Sequence, residues 1–125
     1  MCGISGIISD YSNLENRTSI VKKMIDKIHY RGPDDENICN CNNRAIFGHK
    51  RLKIVDFDNG IQPFFSKCNR YVLVYNGEIY NYDELKNYLK SFNIYLKSRS
   101  DTELLIELII LKKQNILNKI NGMFS

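Results

Sequence analysis

The segment SDTELLIELIILKK, residues 100–113, constrains the fold more than any other part of the chain. Ser100, followed three residues later by Glu103, predicts a helix that begins with a capping box and has Ser100 as its N-cap. The apolar face of this helix is broad and comprises Leu104, Leu105, Leu108, Ile109 and Leu111. A helix with so broad an apolar face has to pack against more than one neighbour, so the rest of the chain must supply further layers.

The segments before this helix predict a second helix and several strands. CGISGIIS (residues 2–9) is typical of a strand, and LENRTSIVKKMIDKIHY (14–30) is typical of a helix that ends at RGPD (31–34). The apolar face of that helix comprises Val21, Met24, Ile25 and Ile28. ENICNCNN and RAIFGHKRLKIVD then predict a hairpin that turns at CNNR, and FDNGIQPF predicts a loop.

The mixture of strands and helices continues towards residue 125. NRYVLVYNGEIYN predicts a strand, a tight turn at Asn76-Gly77 and a short second strand. Asp83 is the predicted N-cap of a helix whose apolar face comprises Leu85, Tyr88, Leu89 and Phe92. Three further elements are predicted: a strand at NIYLKS, a short helix over residues 116–120 capped by Gly122, and a strand starting at Met123 and Phe124. Hairpins and helices in this order predict an α+β layered domain.

Length and composition exclude several classes of protein. The 125 residues suffice for one domain, and the net charge of +4 is spread over scattered lysines and arginines, which argues against nucleic-acid binding. No segment is long and apolar enough to cross a membrane, and no secretory signal precedes the first strand, so we expect a cytoplasmic protein. Cys39, Cys41 and Cys68 lack metal-binding spacing, so we interpret them as core or strand thiols and predict no metal site.

The fourth cysteine, Cys2, follows the initiator methionine directly. One interpretation is a small buried side chain in the first strand, because free cysteine is among the most buried residue types. The other is a nucleophile. Removal of Met1 would expose the α-amine of Cys2, and an α-amine pKa of about 7.7–8.0 allows that group to take the thiol proton near neutral pH. The residues alone leave both interpretations open.

Five motifs in this order resemble a known family: MCGISGII, YRGPD, GHKRLKIVD, YNGEIYN and RSDTE. Together they are similar to the N-terminal glutaminase domain of class II glutamine amidotransferases, and most similar to the branch of the glutamine-hydrolysing asparagine synthetases. The resemblance covers essentially the whole chain and departs from the family pattern at Tyr30, where His is common. It implies the N-terminal nucleophile hydrolase fold, an αββα sandwich that would be truncated here.

The resemblance also implies a role for individual residues in hydrolysing glutamine to glutamate and ammonia. Cys2 would attack the side-chain amide and form a cysteinyl thioester, and the Asn76 side chain with the Gly77 N–H would stabilise the oxyanion. Arg51 would bind the α-carboxylate of glutamine, because its planar guanidinium suits a carboxylate. The remaining implied substrate contacts are Asp101 and Glu78 for the α-ammonium and the backbone of Ile54 and Val55. Arg31, Asp34 and His49 would support the site without contacting glutamine.

Each of these residues also has a structural interpretation. Asn76-Gly77 is a common turn dipeptide, Arg51 could be a solvated charge at a strand end, and Glu78 could be a surface acid. Asp101 at the start of a helix could complement the helix dipole. We assign Glu103 to the helix cap and Asp101 to the substrate.

The resemblance finally implies what lies around this domain. It implies no cofactor for these 125 residues, and ATP with magnesium for a synthetase domain of the same polypeptide that is absent from the sequence. The expected partners are glutamine and that synthetase domain, and a homodimer is left open. We therefore expect residues 1–125 to be an incomplete domain. Two alternatives remain: an amidotransferase of the same branch that acts on a sugar or peptide carboxylate, and an inactive fragment that acts as a binding module.

Overall fold

The mixture of helices and strands expected from the sequence is confirmed by the fold. The computed structural model of the chain describes residues 2–9, 14–42, 44–54 and 60–125. The first half contains β1 (Gly3–Ile8), α1 (Leu14–Lys27), a 3₁₀ helix (His29–Arg31), β2 (Asp35–Cys41) and β3 (Ala45–Arg51). The second half contains β4 (Phe64–Phe65), β5 (Val72–Leu73), β6 (Gly77–Ile79), α2 (Tyr82–Lys90), α3 (Asp101–Lys112), a 3₁₀ helix (Lys113–Lys119) and β7 (Gly122–Phe124).

The first half is a three-stranded antiparallel sheet in the order β1-β3-β2, covered on one face by α1. The predicted hairpin of β2 and β3 is confirmed, although β3 ends at Arg51. Val21 and Ile25 of α1 are fully buried, and they lie so close to Gly48 of β3 that a Cβ there would come within 2.9 Å of both. Met24 is 40% exposed, so its prediction as part of the apolar face was wrong, because α1 contacts the sheet through a narrow stripe.

The opposite face of this sheet points towards the second half of the chain. Because side chains alternate along a strand, His49 and Arg51 of β3 lie on the face away from Gly48 and α1. Both are buried, with His49 1% and Arg51 4% exposed. One face of the sheet is therefore apolar and covered by α1, whereas the other face carries buried ionisable groups.

The second half is built around α3, whose broad apolar face is confirmed as a core element. Leu104, Leu105 and Leu108 are buried, and Ile106 is buried as well. The core cluster around them also includes Tyr75, Ile79, Leu85, Leu89 and Ile116. It therefore joins α3 to α2, β6 and the 3₁₀ helix that follows α3.

The tight turn predicted at Asn76-Gly77 is wrong. β5 pairs with β4, whereas β6 pairs with β7, so no hairpin joins β5 and β6. Asn76 and Ser125 exchange two backbone hydrogen bonds, at 3.0 and 2.9 Å. Distant pairing has overridden the local turn preference of the dipeptide. The strand expected at Met123 and Phe124 is confirmed, but Gly122 lies in that strand and caps no helix.

The predicted capping box of α3 is half right. Ser100 is the N-cap, and its side-chain oxygen accepts a hydrogen bond from the Thr102 N–H at 3.1 Å. The Glu103 carboxylate instead accepts bonds from the N–H groups of Lys97 and Ser98 and from the Ser98 hydroxyl. A buried carboxylate requires several donors, and the preceding loop provides them. This loop contains no strand, so the strand predicted at NIYLKS is also wrong.

Two smaller predictions need correction. Asp83 lies in the first turn of α2, and the N-cap is Asn81, whose amide donates to the Lys119 carbonyl instead of capping the helix. Cys39 and Cys41 are half-buried strand thiols of β2, as predicted, but Cys68 is exposed in the turn between β4 and β5. Burial raises the pKa of Cys39 to about 12, which makes it a poor nucleophile.

The close pairing of β6 with β7 predicts that Gly77 tolerates no side chain. A Cβ at this position would meet the Met123 carbonyl oxygen and lie 2.6 Å from the Phe124 Cα, and these backbone atoms cannot move without breaking the pairing. We expect Gly77→Ala to lower the free energy of unfolding in urea by about 2–3 kcal/mol. The control is Gly3→Ala, because the atoms nearest to a Cβ there all belong to the side chains of Ile28 and Lys50. An equal loss in both variants would contradict the prediction.

Candidate active site

A pocket of about 140 Å³ lies where the two halves of the chain meet. Seven residues predicted from the sequence line it: Cys2, Arg51, Ile54, Asn76, Gly77, Glu78 and Asp101. The eighth predicted substrate contact, Val55, lies outside the described residues. The pocket is also lined by residues that the sequence analysis did not assign to the site: Leu52, Gly60, Gln62, Tyr75, Ser100, Thr102 and Met123.

Cys2 lies immediately before β1 and is half-buried at the edge of this pocket. The Leu52 N–H donates a hydrogen bond to its Sγ at 3.4 Å, and the thiol in turn points to the Leu52 carbonyl at 3.8 Å. The Arg31 Nε donates to the Cys2 carbonyl at 3.1 Å and so holds the backbone of Cys2. These contacts hold the thiol beside Leu52, which directly follows Arg51.

Arg51 ends β3 with its guanidinium side chain buried, so the interpretation as a solvated strand-end charge is wrong. The Asp34 N–H donates to the Arg51 carbonyl at 3.0 Å, and the Asp34 carboxylate accepts from the Lys53 N–H at 2.8 Å. Asp34 therefore fixes the backbone on both sides of Leu52, which holds the Cys2 thiol. Asp34 does not itself line the pocket.

The N–H groups of β6 alternate between its two edges. Asn76 and Tyr80 donate to Ser125 and Asn121 on the β7 side. In an antiparallel ladder the intervening N–H groups point to the opposite edge. The Ile79 N–H does so and donates to the Asp101 carboxylate at 2.9 Å. The Gly77 N–H therefore points to the same edge, where the pocket lies.

Asp101 occupies the first position of α3 and is half-buried, whereas Glu78 in β6 is exposed at the pocket rim. Burial raises the pKa of the Asp101 carboxyl. The hydrogen bond from Ile79 opposes this shift, and the nearby charge of Glu78 adds to it. Two carboxylates side by side repel each other, and a cation placed between them would relieve that repulsion. This end of the pocket is therefore suited to an ammonium group, and Arg51 provides a positive charge elsewhere in its lining.

His49 is buried behind the pocket and does not line it. Burial lowers its pKa to about 4, and the charge of Arg51 adds to this effect. A hydrogen bond to the Tyr75 backbone and the charge of Asp35 oppose it. The imidazole is therefore neutral at neutral pH, and it links β3 to the segment that contains Asn76 and Gly77.

Gln62 and Tyr75 are the most notable pocket residues that sequence reasoning missed. The Gln62 side-chain oxygen accepts a hydrogen bond from the Tyr75 N–H at 2.6 Å, and both residues are buried. Gln62 stands in a segment predicted as a loop, and Tyr75 ends an apolar run that resembles an ordinary core strand. Tyr75 is the first residue of the YNGEIYN motif, but the sequence assigned it no role, and no motif includes Gln62. Only the contact between distant segments identifies them.

Comparison with known proteins agrees with this geometry. All 125 residues match the family model described as a glutamine amidotransferase domain. The chain belongs to this family. It is similar to asparagine synthetases described as glutamine-hydrolysing. The identity is 35% with asparagine synthetase 3 and 42% with asparagine synthetase 2 of Bacillus subtilis, and 31% with the asparagine synthetase of Brassica oleracea. The alignments cover 100% of this chain and 20%, 17% and 21% of these relatives, so the chain spans about a fifth of their length.

Two further observations concern the described part of the amidotransferase domain. Its residues include no group of three or more His, Cys, Asp or Glu side chains that could hold a metal ion. None of its helices has the length and apolar character needed to cross a bilayer.

The lowered pKa of His49 predicts a loss of stability in acid. The unfolded imidazole takes up a proton near pH 6.5, whereas the folded one does so only near pH 4. The stability contributed by neutral His49 is thus complete above pH 6.5 and is lost as the pH falls towards 4. The expected loss in the free energy of unfolding is on the order of 3 kcal/mol.

His49→Gln should remove this part of the acid loss in urea unfolding between pH 7 and 4. His29→Gln is the control, because His29 is exposed, and it should keep the pH dependence of the unmodified protein. If His49→Gln and the unmodified protein lost stability equally, His49 would not be a buried neutral group.

Proposed function

We propose that this chain hydrolyses glutamine to glutamate and ammonia through a thioester on Cys2, and that it has the N-terminal nucleophile hydrolase fold. The observation that carries the proposal is that Cys2, Arg51, Asn76, Gly77 and Asp101 come from separate elements and line the same pocket. The family match and the α+β architecture support it. Local turn or capping preferences would not bring these residues together.

The proposed nucleophile is the Cys2 thiolate, formed when the α-amine exposed by removal of Met1 takes the thiol proton. The sulfur attacks the side-chain amide carbon of glutamine, and a C–S bond forms. The tetrahedral intermediate then breaks its C–N bond, and the proton held by the amine leaves with ammonia. Water attacks the thioester, releases glutamate and regenerates the thiol. The contact of Sγ with the Leu52 backbone supports this role by holding the sulfur in place.

The oxyanion of the tetrahedral intermediate requires hydrogen-bond donors that are already in position. We propose the Gly77 N–H and the Asn76 side-chain amide. The alternation along β6 supports Gly77, because its N–H shares an edge with the N–H of Ile79 and faces away from β7. Asn76 lines the same pocket, and its backbone is held by the two bonds to Ser125. Both donors would thus belong to a rigid strand segment.

The two charged ends of glutamine would be bound by groups of opposite sign. The buried guanidinium of Arg51 would bind the α-carboxylate, and Asp101 with Glu78 would bind the α-ammonium. The backbone of Ile54, which lines the pocket, would contact the same end as Arg51. A pocket with one cation and two carboxylates selects a free amino acid over an amide within a peptide.

We further propose that the released ammonia serves a synthetase domain of the same polypeptide, which uses it to make asparagine from aspartate. The relatives named as glutamine-hydrolysing asparagine synthetases are about five times as long as the amidotransferase domain, which supports a second domain. Such a domain would separate the amide donor site from the acceptor site.

Replacement of Cys2 tests the nucleophile. In the whole polypeptide, Cys2→Ser should abolish glutamate release from glutamine and leave synthesis from free ammonia intact, because only the thiol is lost. Cys68→Ser is the matched control, since Cys68 is exposed and does not line the pocket, and it should hydrolyse glutamine normally. Glutaminase turnover retained by Cys2→Ser would rule out the proposed thioester.

Two further variants separate transition-state stabilisation from substrate binding. Asn76→Ala should lower kcat for glutamine hydrolysis by about 10²–10³, the usual effect of losing one oxyanion donor. Arg51→Lys should mainly raise KM, because the guanidinium binds the substrate and the transition state alike. Steady-state kinetics on both variants would measure this, and an unchanged kcat in Asn76→Ala would leave Asn76 as a structural residue only.

A further inference from the structure

One polar atom of the pocket has no role in the reaction described above. The Tyr75 side chain is only 4% exposed, and its hydroxyl oxygen is buried with no hydrogen-bond partner among residues 2–9, 14–42, 44–54 and 60–125. The residue nevertheless lines the pocket. A hydroxyl that has lost water without gaining a partner destabilises the folded state. Such groups call for an explanation, and a ligand that completes the bond is one.

The surroundings of this hydroxyl indicate which part of a ligand it meets. Burial raises the pKa of the Tyr75 phenol, and the charges of Asp101 and Glu78 raise it further. The phenol is therefore neutral at any working pH. Tyr75 lines the same pocket as Asp101 and Glu78, and it is near enough to both for their charges to act on the phenol. The backbone of Tyr75 is held by Gln62 and His49, and its side chain is buried.

We propose that the Tyr75 hydroxyl is a third oxygen for the α-ammonium of glutamine, beside Asp101 and Glu78, and thereby a specificity-determining residue for substrates with a free α-amine. This inference rests on the proposed function. An ammonium group has three N–H donors, and two carboxylates and one phenol oxygen provide three separate acceptors. A neutral acceptor completes the set without a third negative charge beside two others.

The test compares two substrates that differ only in the α-amine. Glutaramate has the amide and the carboxylate of glutamine but lacks the ammonium group. Tyr75→Phe should lower kcat/KM for glutamine about 10-fold or more, mainly through KM, because a hydrogen bond to a charged group is lost. The same variant should leave kcat/KM for glutaramate unchanged. Tyr95→Phe is the matched control, since Tyr95 is 63% exposed and away from the pocket, and both substrates should be unaffected.

Binding measurements separate this inference from the proposed reaction. Calorimetry in the Cys2→Ser background, with and without Tyr75→Phe, gives the affinity for both ligands in the absence of turnover. Selective loss of glutamine affinity would support Tyr75 even if the unmodified protein hydrolysed nothing. Equal losses for glutamine and glutaramate, or no loss for either, would overturn the role of Tyr75 while leaving the hydrolysis proposal intact. Failure of glutamine to bind either protein would overturn both.

Thermal unfolding excludes a purely structural explanation. Without ligand, Tyr75→Phe removes an unpaired buried hydroxyl and keeps the ring, so we expect Tm to rise by roughly 2–6 °C. A variant that is more stable but binds glutamine less well would show that the Tyr75 hydroxyl serves ligand binding at the expense of stability. A lower Tm, together with weaker binding of both ligands, would show that Tyr75 supports the fold and would contradict the inference.

Discussion

The buried imidazole of His49 joins the two halves of this domain. It lies on the face of β3 opposite α1, and it bonds to the backbone of Tyr75, the residue before Asn76 and Gly77. Arg51 is two residues further along the same strand and shares that face. The guanidinium and the segment of the proposed oxyanion donors are thus held relative to each other through one neutral ring. Burial keeps this ring neutral by lowering its pKa, and the charge of Arg51 adds to that effect, whereas the bond to Tyr75 opposes it.

The two edges of β6 carry separate tasks. One edge pairs with β7 and is extended by the bonds between Asn76 and Ser125, which gives the strand its stability. The other edge is taken by the Asp101 carboxylate at Ile79 and faces the pocket at Gly77. A short strand can serve a site in this way because its N–H groups alternate between two directions. Position 77 requires glycine because a Cβ there would collide with the backbone of β7. The same close pairing with β7 fixes the direction of the Gly77 N–H.

Unsatisfied polar atoms concentrate at the segment that borders the pocket. Within the described residues they comprise His49 Nε2, Tyr75 Oη, Asn76 Oδ1 and Ser5 Oγ. Tyr75 and Asn76 line the pocket, and His49 contacts the backbone of Tyr75. Buried polar groups without partners lower stability, and three of these four lie at or beside the pocket, whereas Ser5 Oγ lies on the face of the sheet that α1 covers. Glu103 is the contrast, because its buried carboxylate is fully occupied by the 97–98 loop and its role is structural.

The sequence by itself determined the elements with strong local patterns: β1, the β2–β3 hairpin, the broad apolar face of α3 and its Ser100 cap. Its motifs also named half of the residues that line the pocket, because a family pattern records chemistry even where the fold is unknown. The tertiary structure decided everything that depended on distant pairing. Asn76-Gly77 prefers a turn locally, yet its backbone pairs with a strand that begins 45 residues later, and that pairing is worth more than the turn preference. Glu103 similarly does not cap the helix, because its carboxylate accepts hydrogen bonds from the backbone amides of a loop that only the fold brings near. Gln62 and Tyr75 line the pocket for the same reason. Contacts between distant segments place them there, and a local turn or strand preference does not.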